Sequence, residues 1–212
     1  MLTIIWDVDD VLNDLALHWL AESWLPAHPS CRPGFDGRSG AAPEDVLGTT
    51  REEYLASLDA YRHSGAYSAQ PPRADVVAWF EAYGAEARHL ALTAVPLHAA
   101  HVSAEWVLRH YSRWVRGVNV VPSPRPDDPP GPPERDKGAW LAWFGHADVL
   151  VDDSPENVAA ARAHGVRGLL FPRPWNADAG RPVTDLLDEL AGLVGHGSRA
   201  ARPALSEGRA TP

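Results

Sequence analysis

The polar side chains of this chain that could do chemistry sit where short apolar runs stop. The run "LTIIW" ends at Asp7, and Asp9 and Asp10 follow at once in "WDVDDVLND". The run "HLALTAV" carries Thr93 and Ala94 near its end, and "DVLVDD" closes on Asp152 and Asp153. Between them, in "ERDKGAW", stands Lys137, the only lysine among 19 basic residues. Carboxylates brought close together repel, so either their pKa values rise or a cation holds them. Carboxylate and carbonyl oxygens suit a hard ion, and Mg²⁺ takes one or two carboxylates while keeping positions for water and phosphate. An acidic cluster loaded in this way becomes a site for a small anion. A lone ammonium beside it acts as a point charge towards a carboxylate and a phosphoryl oxygen, where a guanidinium would impose a fork.

For these residues to meet, the elements carrying them must end on one edge. "LTIIW" is a short, β-branched and aromatic run that reads as a buried strand. From residue 73 onward, strands and helices alternate. "PPRADVVAWFEAYGAEA", "AAHVSAEWVLRHYSRWV", "KGAWLAWFG", "SPENVAAARAHG" and "VTDLLDELAGLV" read as helices, with "HLALTAV", "GVNVV", "DVLVDD" and "VRGLLF" as strands. Such alternation implies βαβ crossovers and a buried parallel sheet with helices on both faces, a Rossmann-like α/β architecture. Its ligand site lies at the carboxyl ends of the strands. Asp7, Asp9, Asp10, Thr93, Lys137, Asp152 and Asp153 then converge on one edge, with Val8 turned away from Asp7 and Asp9 by strand alternation.

Residues 14–72 interrupt that pattern. "DLALHWLAESWLPA" has helical spacing, 27–48 read as an irregular connection rich in Pro, Gly, Ser and Asp, and "TTREEYLASLDAYRHS" opens with a capping box from Thr50 to Glu53. The division expected is an α/β core of 1–13 and 73–195, a small helical cap of 14–72 inserted after the first strand, and a disordered tail over 196–212.

The four motifs "DVDDVL", the Thr of "LTA", Lys137 and "VDD", in this order, resemble those of the haloacid dehalogenase superfamily of phosphohydrolases. The resemblance covers the core, and it implies Mg²⁺-dependent hydrolysis of a phosphate monoester through an aspartyl phosphate. It assigns Asp7 as nucleophile and Asp9 as general acid and base. Asp7, the carbonyl of Asp9 and one of Asp152 and Asp153 would hold the metal. Thr93 and the backbone of Ala94 would bind the phosphoryl oxygens, and Lys137 would offset charge on Asp7 and on the transferring group. An acid at position 9 distinguishes the phosphatases of the superfamily from its dehalogenases. The insertion, "VDDSPEN" and "FPRPWN" look like the cytosolic 5'(3')-deoxyribonucleotidase branch, which implies a nucleoside monophosphate. A sugar phosphate or a phosphorylated biosynthetic intermediate stands as the alternative substrate, and a catalytically silent phosphate-binding protein as the alternative function. A receiver-type phosphoacceptor domain fits poorly, because Lys137 precedes the second acidic pair.

The bulk composition agrees with a small-molecule site. A net charge of -9 without a basic run disfavours nucleic-acid polymers and anionic membranes as partners. The single cysteine, Cys31, offers no intrachain disulfide, no apolar run approaches the ~20 residues of a membrane span, and a cytoplasmic location is the expectation. His98 and His101 in "PLHAAH" have an i, i+3 spacing without further ligands, so zinc is not expected. Most of the nine tryptophans, Trp140 and Trp143 among them, are expected in the core, with Trp19 and Trp24 as candidates to line a substrate pocket.

Overall fold

The first strand, β1 (Thr3–Trp6), is buried along its whole length and has a parallel partner on each side. On one side Ile5 pairs with Leu90 and Trp6 with Ala91 of β2 (Arg88–Val95); on the other Trp6 pairs with Val151 of β4 (Val149–Asp152). With β3 (Val115–Pro122) beside β2 and β5 (Arg167–Leu170) beside β4, the order is β3-β2-β1-β4-β5 and every pairing is parallel. The computed structural model describes residues 1–33, 43–125, 128 and 131–200.

Side-chain alternation divides the sheet between two apolar layers. Ile4, Trp6, Ala91, Val149 and Val151 face a layer that includes Val76, Trp79 and Phe80 of α6 (Ala74–Tyr83), Trp106 and Val107 of α7 (Ala100–Tyr111), and Leu186 and Leu190 of α10 (Val183–Ala200). Ile5, Leu92 and Leu150 face Trp140 and Leu141 of α8 (Lys137–Phe144) and Ala161 of α9 (Pro155–Ala163). Helices therefore cover both faces, and the sequence expectation of a Rossmann-like sheet holds. The exception among the tryptophans is Trp143, which is 68% exposed on the outer side of α8. Trp140 takes the sheet-facing position of that helix, and three residues around the helix Trp143 has no layer to enter.

The segment between β1 and α6 is helical, with no strand among its described residues. It runs α1 (Leu15–Trp19), a π-helical turn (Leu20–Trp24), α2 (Leu25–Ala27), α3 (Pro43–Leu47), α4 (Arg51–Arg62) and α5 (Gly65–Ala69). Its apolar side chains, Trp19, Trp24, Leu47, Leu58, Tyr61 and Tyr67, are continuous with the larger core layer. Thr50 caps α4 by accepting from the Glu53 amide at 3.2 Å. Two short helices escape the sequence pattern. α3 occupies the end of the stretch read as irregular, and α5 is started by Ser64, whose Oγ accepts from the Tyr67 amide. Both are single-turn helices, too short to show a 3.6-residue period.

The last helix also differs from expectation. Leu186, Leu190 and Val194 of α10 are buried, and the helix propagates past this anchored face to Ala200, into the segment read as tail. The rest of that segment, 201–212, lies outside the described residues, as do 34–42 of the expected connection. No described helix is long and apolar enough to cross a membrane.

Candidate active site

The chain leaves β1 in a tight turn whose centre is the carbonyl of Val8, which accepts from the amides of Leu12 at 2.9 Å and Asn13 at 3.3 Å. Val8 is fully buried on the core side, so Asp7 and Asp9 point to the other side of the turn. Asp10 takes a left-handed φ of 65°, a conformation uncommon outside glycine, asparagine and aspartate. That conformation is held from several directions. The Asp10 amide donates to Asn13 Oδ1 at 3.0 Å, its Oδ1 accepts from the Ala16 amide at 2.9 Å, and its carbonyl accepts from Arg173 Nε. Arg173 reaches in from the loop after β5 and also binds the Asn13 carbonyl at 2.9 Å and Asp14 Oδ1 at 2.5 Å.

Lys137 is the first residue of α8, placed by Asp136, whose Oδ1 caps the helix by accepting from the Ala139 amide at 2.7 Å. Its ammonium lies 2.7 Å from Asp7 Oδ1 and 2.7 Å from Asp152 Oδ2, and the side chain is 2% exposed. Burial alone would lower the lysine pKa, but the carboxylates of Asp152 and Asp7 outweigh it and raise it, so the ammonium stays charged. One ammonium cannot neutralise two carboxylates. Burial therefore raises the Asp7 pKa well above the ordinary carboxylate range in spite of Lys137, with the charges of Asp152 and Asp153 adding to the rise. Asp7 Oδ1 also accepts from the Val8 amide at 2.7 Å, which fixes the plane of the carboxylate.

The two acids that end "VDD" differ in what they touch. Asp152 Oδ2 takes Lys137, while its Oδ1 accepts from the Ser154 amide and from Asn157 Nδ2, both at 3.0 Å. Asp153 accepts the Trp175 indole on Oδ2 at 2.8 Å. Burial first, then the charges of Asp10 and Asp152, push its pKa up to about 7, and burial raises Asp10 to about 7 against the pull of Arg173. Buried anions this strained would be relieved by a cation. Ligand atoms of Asp7, Asp152 and Asp153 lie within 4.8 Å of one another, so the donor set suits a hard divalent ion.

Asp9 is held by its own turn and by groups of the helical segment before α6. Its Oδ2 accepts from Arg62 Nη2 at 3.0 Å, and its Oδ1 from Tyr67 at 3.2 Å and Asn13 Nδ2 at 3.1 Å. Arg62, the last residue of α4, also binds Asp59 at 3.1 Å, and Asp59 is gripped by Arg125 at 2.7 and 2.8 Å.

Asp7, Asp9, Asp10, Thr93, Ala94, Lys137 and Asp153 line one cleft of about 160 Å³ at the carboxyl edge of the sheet, joined by Arg62 and Asn157. Asp152 lies beneath it, fully buried behind Lys137. Thr93 is buried within β2 and Ala94 is exposed one position on. Trp19 borders the cleft, whereas Trp24 packs into the core at 1% exposure. His98 and His101 stand apart: His98 stacks on His63 with ring centroids 5.1 Å apart. Sequence reasoning missed Arg62, Tyr67, Asn157 and Arg173. Asn157 and Arg173 lay in quoted motifs, "VDDSPEN" and "FPRPWN", without a role, and none of the four stands at a strand end.

Solved structures that match this arrangement of elements include haloacid dehalogenase-like hydrolases. One from Streptococcus pneumoniae matches with a TM-score of 0.61 at 12% identity, over 91% of this chain and 98% of the other. The chain has the haloacid dehalogenase fold. A family hydrolase from Deinococcus radiodurans R1, solved with bound phosphate and sodium, matches with a TM-score of 0.55 at 17% identity over 92% of this chain and 96% of the other. A Clostridium acetobutylicum protein described as a "predicted phosphatase" matches with a TM-score of 0.57 at 10% identity over 92% and 98%. No family model and no curated protein matches the sequence.

Proposed function

We propose that this protein hydrolyses a small-molecule phosphate monoester with Asp7 as nucleophile. The observation that carries this reading is the ammonium of Lys137 shared between Asp7 and Asp152 at the wall of a cleft that also presents Asp9, Thr93 and the backbone of Ala94. Hydrolase and phosphatase neighbours on the same fold support it.

In this reading an Asp7 carboxylate oxygen attacks phosphorus, the bond to the leaving oxygen breaks, and Asp9 gives its proton to the departing alkoxide. Water then attacks the aspartyl phosphate, Asp9 takes the proton, and inorganic phosphate leaves with Asp7 restored. Thr93 and Ala94 hold the phosphoryl oxygens, and Lys137 balances the charge that gathers on Asp7 and the transferring group. Arg62 and Tyr67 set the direction in which Asp9 points. Asp7, the carbonyl of Asp9 and Asp153 would hold Mg²⁺. Asp153 is preferred to Asp152 because both oxygens of Asp152 are already engaged by Lys137, Ser154 and Asn157. When bound, the ion would neutralise negative charge on the phosphoryl group and on the crowded acids.

A nucleoside monophosphate, as the deoxyribonucleotidase likeness suggests, and a sugar phosphate are the candidate substrates; a cytoplasmic setting belongs to the same reading. The test is phosphate release from an aryl phosphate. Activity is expected with Mg²⁺ and not after chelation, and Asp7→Asn is expected to lose at least about a thousandfold in kcat while staying folded. Turnover that survives complete metal removal, or that persists in Asp7→Asn, overturns the mechanism.

A further inference from the structure

Beside the polar cleft lies a second cavity of about 400 Å³, more than twice its size. The two share Asp10, Ala16, Trp19, Tyr54 and Asp153 in their linings, so they adjoin, and a group esterified to a phosphoryl at Asp7 has the second cavity next to it. Its walls come from both sides of the molecule. Trp19, Leu20, Val46, Leu47 and Tyr54 belong to the helical segment before α6, and Trp175 and the loop opening α9 face them.

Three properties of these walls limit what they could receive. First, they are rich in rings: Trp19 and Tyr54 meet edge to face with centroids 5.5 Å apart, and Trp175 stands against Asp153. A flat aromatic group finds stacking partners there. Second, among the described residues the charged members of the lining are Asp10, Asp153 and Glu156, with no lysine or arginine. The cations of the site, Lys137 and Arg62, line the polar cleft instead. A second phosphate or a carboxylate on the leaving group would face the like charge of these three acids. Third, three donors of the lining are committed, the Trp19 indole to Ser57 at 3.1 Å, the Trp175 indole to Asp153 at 2.8 Å and Ser154 Oγ to Glu156 at 2.8 Å, which leaves the Tyr54 hydroxyl. A leaving group that presents only acceptors to these walls finds few donors among the described lining residues.

From these properties we infer that the substrate is the phosphate ester of an aromatic alcohol, neutral or cationic, carrying no second anionic group. The inference rests on the hydrolase reading above and narrows its substrate class. It disfavours phosphorylated acids, and it admits a nucleoside monophosphate only through its base.

The test compares kcat/KM for benzyl phosphate, glycerol phosphate and phosphoglycolate, all esters of primary alcohols, with an aryl phosphate as the control for hydrolysis itself. Benzyl phosphate is expected to lead each of the others by at least about tenfold. Val46→Asp, at a half-buried wall position, is expected to raise KM for benzyl phosphate about tenfold with kcat unchanged. Glu156→Lys, at the exposed rim, is expected to raise kcat/KM for phosphoglycolate several-fold relative to that for benzyl phosphate. If the aryl phosphate is cleaved but glycerol phosphate or phosphoglycolate equals or exceeds benzyl phosphate, the substrate assignment falls and the hydrolase reading stands. If none of the four releases phosphate, both fall.

Discussion

Two buried ion networks meet at the cleft, and they are built in opposite ways. On the core side Lys137 bridges Asp7 and Asp152 at 2.7 Å each, with every member at the end of a strand or the start of a helix. On the side of the helical segment before α6, Arg62, from the last turn of α4, bridges Asp9 at 3.0 Å and Asp59 at 3.1 Å, and Arg125 completes the chain through Asp59. The core network follows from sheet register: once β1 and β4 are neighbours, Asp7 and Asp152 lie side by side. The second network depends on how helix α4 packs, and the residues it joins, Asp9 and Arg62, are 53 positions apart. The first is a product of secondary structure, the second of tertiary docking.

The contrast predicts unequal consequences. Lys137→Met leaves Asp7 and Asp152 buried together without their shared cation, which is expected to cost about 3–5 kcal/mol in urea unfolding of the metal-free protein. Lys137→Arg keeps the charge but brings a planar fork where a point donor reaches two carboxylates. It is expected to stay folded while losing most of its phosphate release. Arg62→Met removes one donor from carboxylates that keep others, Tyr67 and Asn13 on Asp9 and Arg125 on Asp59, so about 2–3 kcal/mol is expected. Arg62→Lys should restore part of the stability. An Arg62→Met loss equal to that of Lys137→Met would break the comparison, because the docked helix would then matter as much as the sheet.

Acid sharpens the distinction from the core side. Beneath β1, His89 accepts from the Trp6 indole at 3.1 Å on Nδ1 and donates from Nε2 to the Gly84 carbonyl at 3.0 Å. Protonating Nδ1 would break the first bond, and burial lowers the His89 pKa from 6.5 to about 4. A depressed histidine means that the unfolded chain takes up the proton first. Its contribution to stability is therefore complete above about pH 6.5 and is lost as the pH falls towards 4, up to about 3 kcal/mol. Urea midpoints at pH 7.5 and 4.5 should fall further for the native protein than for His89→Gln, which keeps a donor and an acceptor without titrating. An equal fall in both would show that acid acts elsewhere.

The same contrast explains what could be read from the sequence. Asp7, Thr93 and Asp152 were visible because a buried parallel strand is a short apolar run with an abrupt polar end, and the ends of such strands share an edge. Lys137 was visible because no other lysine competes with it. Arg62 carried no such mark. It is one of many arginines on an amphipathic helix, and nothing in the spacing of α4 tells a solvent-facing arginine from one turned onto Asp9. Trp175 and Arg173 fell inside a quoted motif without a role, because a loop gives no period from which to infer a direction. The choice between Asp152 and Asp153 was closed to sequence for a related reason. It turns on which carboxylate Ser154, Asn157 and Lys137 already occupy, a matter of side-chain packing at a helix start.

The smallest effects separate the networks most cleanly. Asp136 and Thr50 are both exposed caps, accepting from the third amide of α8 at 2.7 Å and of α4 at 3.2 Å. Replacing either with alanine is expected to cost about 1 kcal/mol. Their kinetic consequences should nevertheless differ, because of where the functional residue stands on each helix. Lys137 is the first residue of α8, adjoining its cap, so fraying of that turn moves the ammonium away from Asp7. Arg62 is the last residue of α4, at the far end from Thr50, so fraying there leaves its contact with Asp9 in place. Asp136→Ala should therefore lower kcat several-fold and Thr50→Ala should not, at matched losses of stability. Equal kcat values in the two variants would mean that Lys137 is held by its carboxylate partners alone, and that its place at the head of α8 contributes nothing to catalysis.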